Sequence, residues 1–343
     1  MKLGIICPSE IAIRRFMPAL EQIDDIEFVG VGVNSISERY GDKIPNQEVV
    51  DKMLQDEKKK AESFITQYGG KIFNSYESVV KSDEIEAVYI PLPPALHYKW
   101  AKMAIGNGKH VLVEKPATVD LEMTKNLVTL AKKNNVALHE NYMFSFHAQL
   151  DAIDEIINSG EIGEIRLYRI SFGFPMRAAN DFRYNKALGG GALIDAGGYT
   201  IKYANRLLGN SARIVCSNMN ALEGFEVDMY GSATMINNSG VTAQLAFGMD
   251  NNYKCELEAW GSKGCLTTGR VLTAPAGMIP KVTIRKENDD EIRDLPADDA
   301  FLKSLYRFLK CIKNKNIREE NFQEIIRQAE LVNQFRKLNK NEI

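Results

Sequence analysis

Up to about residue 140 the chain alternates short Val- and Ile-rich runs with amphipathic stretches, and this alternation narrows the possible folds more than any other feature. The runs are Lys2–Cys7, Glu27–Val33, Ala87–Pro91, His110–Val113 and Val136–His139. Turn residues bound them, as expected of strands buried on both faces of a parallel sheet. Between them, Pro94–Asn107 gathers Leu96, Trp100, Met103 and Ala104 on one helical face. Asp120–Asn134 does the same with Met123, Leu127, Leu130 and Ala131, and Asp120 is placed to cap it. Repeated β-α-β units predict a doubly wound parallel sheet covered on both sides.

Beyond residue 140 the pattern changes. His147–Asn158 is amphipathic through Leu150, Ile153, Ile156 and Ile157. Strand-like segments follow at Ile165–Phe174, Ile214–Met219, Met229–Met235, Val241–Phe247 and Tyr253–Trp260. Several alternate apolar with polar residues, the pattern of an antiparallel sheet with one covered face. Phe301–Lys313 and Asn321–Leu338 close the chain as helices. The expected fold is α/β: an N-terminal Rossmann-type domain over 1–140, then an α+β domain over 141–343 with a large, mostly antiparallel sheet. A length of 343 residues suits two domains of ~150 residues. The charged stretch Ser37–Gln67, with Asp56-Glu57-Lys58-Lys59-Lys60 as a solvated helix face, reads as a helical insertion.

Charge excludes one class of partner. With 43 basic and 45 acidic side chains, no large positive field is available for nucleic acid. The first apolar run is broken by Pro8, Glu10, Arg14 and Arg15, too early for a signal peptide. No apolar stretch approaches the roughly 18 residues of a membrane span. Cys7, Cys216, Cys255, Cys265 and Cys311 are odd in number and scattered, which predicts a reduced, cytoplasmic setting. His97, His110, His139 and His147 lack metal-ligand spacing. His139-Glu140-Asn141-Tyr142-Met143 starts like a zinc H-E-x-x-H motif but ends in Met, so no metal is expected. His147 reads equally as a cleft residue or as a surface or capping residue.

Several motifs fall at strand ends, where open α/β sheets bind ligands. The first turn, Cys7-Pro8-Ser9-Glu10-Ile11-Ala12, stands where a dinucleotide fold carries G-x-G-x-x-G/A. Of that pattern it keeps Ala12, while the small residues Cys7 and Ser9 replace two glycines. The function asked of it is to bring backbone N–H groups at a helix start close to a pyrophosphate; the plainer reading is an ordinary strand-to-helix turn. After the second run come Asn34, Ser35 and Arg39, with no carboxylate before Glu38. A ribose 2′-hydroxyl would want a carboxylate there, so these residues favour NADP over NAD. Pro91 ends the third run and Leu92 and His97 follow it, as a ligand loop or a rigid loop with a surface histidine. Glu114-Lys115-Pro116 follows the fourth, where the lysine can donate to a substrate oxygen and the X-Pro bond can be cis.

The strongest local signal is Gly189-Gly190-Gly191-Ala192-Leu193-Ile194-Asp195-Ala196-Gly197-Gly198-Tyr199. If a helix starts at the end of the glycine run, Asp195, Tyr199 and Lys202 share one face. A carboxylate, a phenol and an amine there make a proton-handling set, since a nearby cation lowers a phenol pKa. So many glycines imply that something approaches the backbone closely. The alternative is a glycine-loosened helix with exposed polar residues.

Together, Glu114-Lys115-Pro116, the Gly-rich segment with Asp195 and the Pro-rich loop to His97 resemble the Gfo/Idh/MocA oxidoreductases along nearly the whole chain. The turn Cys7–Arg15 with Pro18-Ala19-Leu20, and Asp181-Phe182-Arg183-Tyr184, look like the sugar 3-ketoreductase branch. Tyr199 stands where many members carry histidine, and members with tyrosine use it as acid/base. Ser145 stands where relatives often carry arginine. The resemblance implies a Rossmann domain, catalysis by Lys115, and a homodimer or homotetramer formed through the larger sheet.

The resulting expectation is a hydride transfer between a nicotinamide cofactor and a sugar or nucleotide-sugar carbon, with reduction favoured. Tyr199 supplies the proton, Lys115 stabilises the oxygen and tunes the phenol, and Asp195 orients a substrate hydroxyl or the lysine. Phe174, Arg177, Arg183, Tyr184 and Lys202 hold the substrate; the arginines suit a nucleotide-sugar phosphate or are rim charges. Two other readings are oxidation of a free sugar or cyclitol with NAD, and a non-catalytic cofactor-binding sensor.

Overall fold

A computed structural model describes residues 1–40, 46–287 and 289–339. The chain divides into two compact units. The first comprises Met1–Thr118, Glu122–Asn141 and Leu305–Ile325; the second comprises Val119–Leu121, Tyr142–Ser304 and the chain from Ile326 on.

The first unit is built on β1 (Lys2–Ile5), β2 (Glu27–Gly32), β3 (Lys71–Phe73), β4 (Ala87–Ile90), β5 (His110–Glu114) and β6 (Leu138–Asn141). They form one sheet in the order β3-β2-β1-β4-β5-β6, with every pair parallel. Its central strands are buried throughout: Ala87–Ile90 are sealed from solvent, as are Val111, Leu112 and Val113. A strand covered on both faces needs apolar residues at every position, which is why unbroken runs announced these strands. β3 is an edge strand of three residues, with too little pattern to be seen in the sequence.

The helices tied to this sheet begin with α1 (Met17–Leu20), preceded by a π-helical turn at Ala12–Phe16. Then come α2 (Ile36–Tyr40), α3 (Gln47–Tyr68), α4 (Tyr76–Lys81), α5 (Pro94–Gly106) and α6 (Leu121–Lys133). Residues 41–45 of the charged stretch lie outside the described residues. From Gln47 it is a helix, capped by Asn46, whose Oδ1 accepts the Val49 amide at 3.0 Å. Its solvated face carries Asp56, Lys58, Lys59 and Lys60, and Val50, Met53, Ala61 and Phe64 are buried on the other. Residues 305–325 also belong to this unit. Asn321 Nδ2 donates to Leu138 O at 2.7 Å, and Asn321 Oδ1 lies 3.0 Å from His139 Nδ1. Arg318 donates to Asn135 Oδ1 at 2.6 Å. His139 is thus a fully buried structural residue.

The second unit holds α7 (Ala148–Asn158), β7 (Ile165–Gly173), α8 (Gly198–Leu208), β8 (Arg213–Asn220), β9 (Tyr230–Ile236), β10 (Thr242–Gly248), β11 (Lys254–Gly261), β12 (Cys265–Gly269), β13 (Lys281–Lys286) and β14 (Asp289–Asp294). The strands form one sheet in the order β14-β13-β12-β11-β7-β10-β9-β8. All neighbours are antiparallel except β7 and β10. Burial alternates, with Cys255, Leu257 and Ala259 inward and Glu256 and Trp260 outward on β11. Against the covered face lie Tyr199, Ile201, Tyr203 and Ala204 of α8 in one core. Two helices close the chain, α9 (Ala300–Lys313) and α10 (Lys315–Leu338). No helix among the described residues is long and apolar enough to cross a membrane.

Candidate functional site

In the first unit, the expected cofactor residues lie at or just beyond the carboxyl ends of β1, β2, β4 and β5, on either side of the point where strand order reverses. After β1, Ser9 starts the helix. Its Oγ accepts the Ala12 amide at 3.2 Å and its carbonyl accepts the Ile13 amide at 3.1 Å. The amides of Glu10 and Ile11 precede the helix's own acceptors, as at any helix start. Glu10 pairs with Arg14, and Ile11 is exposed. Cys7 departs from the expected small ligand-facing residue. Its thiol is buried and donates to Pro91 O at 3.6 Å. Burial pushes the thiol up to about 12, so it is neutral and its side chain serves the core.

After β2, Asn34 is buried and Arg39 is exposed. Glu38 carries a role that the sequence left unassigned. Its carboxylate accepts the Ser35 amide at 2.8 Å, the Tyr76 amide at 3.1 Å and the Glu77 amide at 2.9 Å. With Ser35 Oγ accepting the Glu38 amide at 3.3 Å, it forms a capping box and also caps α4.

His97 is neither at the surface nor open to a ligand. The first turn of α5 turns it inward, where it is fully buried. Its Nδ1 lies 2.7 Å from Pro116 O and its Nε2 2.7 Å from Leu92 O. It sits between the loop after β4 and the loop after β5, a neutral ring donating its single N–H to one of the two carbonyls. Burial outweighs those two carbonyls and holds the imidazole down to about 4. In the second loop the Lys115–Pro116 bond is cis. Glu114 Oε1 accepts from Tyr89 Oη at 2.7 Å and from Asn141 Nδ2 at 2.6 Å, and burial raises its pKa. Ala117 N–H donates to Glu140 Oε1 at 2.8 Å. Lys115 is thus flanked on both sides by anchored residues.

In the second unit, the glycine run meets the protein's own groups. Gly191 has φ +117°, and a Cβ there would lie 2.3 Å from Asp228 Oδ1. Asp228 Oδ2 accepts the Leu193 amide at 2.6 Å, and its carbonyl accepts the Ala192 amide at 2.8 Å. A buried aspartate from a distant segment thus caps this helix, which no local sequence signal announced. At Gly198, a Cβ would lie 2.2 Å from Tyr142 Oη. Gln328 Nε2 donates to Gly198 O at 2.8 Å, pinning the same spot.

The helix is not the straight α-helix expected. Leu193–Gly197 form a π-helical turn that leads into α8, a feature common at functional sites. Asp195 lies in this turn and Tyr199 follows it. Arg183 Nε donates to Asp195 Oδ2, and Arg183 Nη1 donates to Asp181 Oδ1 at 3.1 Å. Burial opposes the guanidinium's charge, but the two aspartates overcome it and raise its pKa above the usual arginine value. Tyr199 is boxed by Tyr142, Phe172 and Phe144, with ring centroids at 5.2, 5.3 and 5.4 Å. Lys202 Nζ sits 5.3 Å from the centroid of the Tyr142 ring.

The other substrate candidates gather around Phe174, whose ring centroid lies 5.8 Å from that of Phe172 in this box. Arg177 stacks over Phe174 at 5.2 Å, its amide donates to Tyr184 Oη at 2.7 Å, and Tyr184 meets Phe225 edge-on at 5.3 Å. His147 is resolved as a cap: its Nδ1 accepts the Gln149 amide at 3.1 Å and it is buried. Among the described residues no group of three or more His, Cys, Asp or Glu is arranged to hold a metal. A cavity of about 270 Å³ in the first unit, lined by Met1, Asp25, Glu86, His110 and Lys313, lies at the amino ends of the strands and holds none of the expected site residues.

Residues 26–142 match the GFO/IDH/MocA oxidoreductase family, NAD-binding Rossmann fold, and residues 150–267 match the GFO/IDH/MocA C-terminal domain. The chain is 35% identical to the dTDP-3,4-didehydro-2,6-dideoxy-alpha-D-glucose 3-reductase of Actinomadura kijaniata, over 98% of this chain and 95% of that protein. It is 32% identical to the Streptomyces violaceoruber reductase of the same name, over 98% and 94%. A solved 3-ketoreductase from Actinomadura kijaniata, in complex with NADP and TDP-benzene, superposes with a TM-score of 0.89 at 33% identity, covering 99% of this chain and 98% of that one. That protein has also been solved with a tyrosine changed to phenylalanine and with a lysine changed to alanine.

Proposed function

This chain belongs to the Gfo/Idh/MocA oxidoreductases, and from that premise we propose that it reduces the keto carbon of a dTDP-linked deoxysugar with NADPH. The observation that carries this reading is the end-to-end similarity to dTDP-sugar 3-reductases.

The donor set fits NADP. Backbone amides at the helix start beyond Ser9 suit a pyrophosphate. At the end of β2, the two oxygens of Glu38 already accept three backbone amides, which argues against their use on a ribose hydroxyl. Exposed Arg39, one residue on, suits a 2′-phosphate. When bound, NADPH supplies the hydride.

The chain's own residues do the rest. Tyr199 gives its phenolic proton to the substrate oxygen that becomes a hydroxyl. Lys115 stabilises negative charge on that oxygen, from a loop beside the buried His97. Asp195 orients a substrate hydroxyl. Arg177 and Lys202 supply positive charge for the diphosphate, and Phe174 and Tyr184 supply apolar surface. We place the enzyme in the cytoplasm, a setting its five unpaired cysteines support. We also assign it a homodimer or homotetramer formed through the outward face of the β7–β14 sheet, where Tyr230, Trp260 and Ile292 are exposed.

The test is direct. Incubation with dTDP-3,4-didehydro-2,6-dideoxy-α-D-glucose and NADPH deuterated at the nicotinamide C4 should consume the cofactor and place deuterium on the sugar. NADH and unlinked sugar ketones should react far more slowly. Cofactor binding without deuterium transfer to any dTDP-sugar ketone would sink the proposal.

A further inference from the structure

We infer that Arg183 is a positioning residue, one that fixes the Asp195 carboxylate on the helix carrying Tyr199 rather than gripping substrate. This rests on the roles just assigned to Asp195 and Tyr199. Arg183 is anchored before its side chain begins. Its carbonyl accepts the Gly191 amide at 2.9 Å, and its own amide donates to Asp181 Oδ1 at 3.0 Å. Gly190 permits this seat, because a Cβ there would lie 2.3 Å from the Arg183 carbonyl oxygen. The segment bearing the arginine is therefore locked onto the loop that leads into the helix.

The guanidinium is committed in the same way. Nε donates to Asp195, Nη1 donates to both oxygens of Asp181 at 3.1 and 3.3 Å, and Cζ lies 4.6 Å from the centroid of the Phe182 ring. Two of its three nitrogens thus serve protein carboxylates. Partly desolvated, charge-assisted bonds of this kind are stronger than surface ion pairs. Arg177 presents the contrast, being exposed.

The need for such a brace follows from where Asp195 sits. Asp195 lies in a π-turn, and its own amide donates to Gly191 O at 3.0 Å. Backbone bonds fix the turn but not the carboxylate's rotamer, which the ion pair from Arg183 restricts.

The experiment measures kcat and KM of the NADPH-loaded full chain on dTDP-3,4-didehydro-2,6-dideoxy-α-D-glucose for Arg183→Ala and Arg183→Lys, beside Tyr199→Phe. Arg183→Ala should lower kcat about 100-fold with KM within about twofold, the scale expected of a misplaced catalytic group. Arg183→Lys should recover about tenfold of that loss, and added guanidinium chloride at millimolar levels should partly rescue Arg183→Ala. A KM raised tenfold or more with kcat unchanged makes Arg183 a substrate contact and overturns the inference. Unchanged kcat and KM in Arg183→Ala overturn it too. If Arg183→Ala does not fold, Arg183→Lys decides: a kcat loss at unchanged KM supports the inference, and an unchanged kcat refutes it. Full activity in Tyr199→Phe counts against the proposed mechanism and not against the brace.

Discussion

Arg183 Nε lies 2.7 Å from Asp195 Oδ2, and the two side chains are only 20% and 12% exposed. This joins a residue read as a substrate contact to one read as catalytic. Asp195→Asn keeps the shape and removes the charge. It should cut kcat by about 10- to 1,000-fold, because the guanidinium loses an ionised partner and the carboxamide is free to turn. Steady-state kinetics with an NADPH titration will check this; a kcat within twofold of wild type removes Asp195 from the reaction.

Tyr199→Phe deletes one oxygen from a ring held by Tyr142, Phe144 and Phe172. The aromatic box is untouched, so the melting temperature should hold. Turnover should fall by about 10²- to 10⁴-fold, the usual contribution of a positioned proton donor. The NADPH dissociation constant should stay within a factor of about two, measured by fluorescence.

Cofactor choice is expected to rest on Arg39 and not on Glu38. Arg39→Ala should weaken NADPH by about tenfold or more, the value of a charged hydrogen bond of ~1.5–3 kcal/mol, and leave NADH nearly unchanged. Glu38→Gln should spare the preference and lower the melting temperature instead, because Glu38 caps two helices at once. Equal loss of both cofactors in Arg39→Ala would refute the 2′-phosphate role.

His97 gives a pH prediction. Its folded pKa is held down to about 4, while an unfolded histidine titrates near ~6.5. Between these values the unfolded chain takes up a proton that the folded chain does not. Stability is therefore full above about 6.5 and is lost as pH falls toward 4, by about 2 kcal/mol on reaching pH 5. Urea midpoints at pH 7 and pH 5 should show a steeper loss in wild type than in His97→Gln. A His97 ring resonance that titrates above pH 6 would contradict this.

Gly191→Ala tests the helix start. The new Cβ would lie 2.3 Å from Asp228 Oδ1, at a φ of +117°. We expect about 2–4 kcal/mol of destabilisation from the strained backbone and the displaced cap. Adding Asp228→Ser should cost less than the sum of the two single changes, because they act on one contact.

The legible parts of this protein were those governed by local rules. Central strands declared themselves because a doubly covered strand is apolar at every position, as in Ala87–Ile90. Lys71–Phe73 and Asp289–Asp294 did not: one is too short and the other, at a sheet edge, is mostly charged. Lys115, Asp195 and Tyr199 stood out by residue type and position. Their supports did not, since Asp228 and Gln328 act on residues 35 and 130 positions away.

By itself, the sequence determined the α/β class, the strand ends that carry candidate ligand groups, and a helix bearing a carboxylate and a phenol. Periodicity and turn chemistry are local, and they survive in a linear string. The tertiary structure alone decided that His97 is buried between two loops, that Cys7 faces the core, that the glycines admit Asp228 and Tyr142, and that Arg183 holds Asp195. Each of these depends on which groups meet across long stretches of chain, where burial and hydrogen-bond partners are set by packing and not by neighbours in sequence.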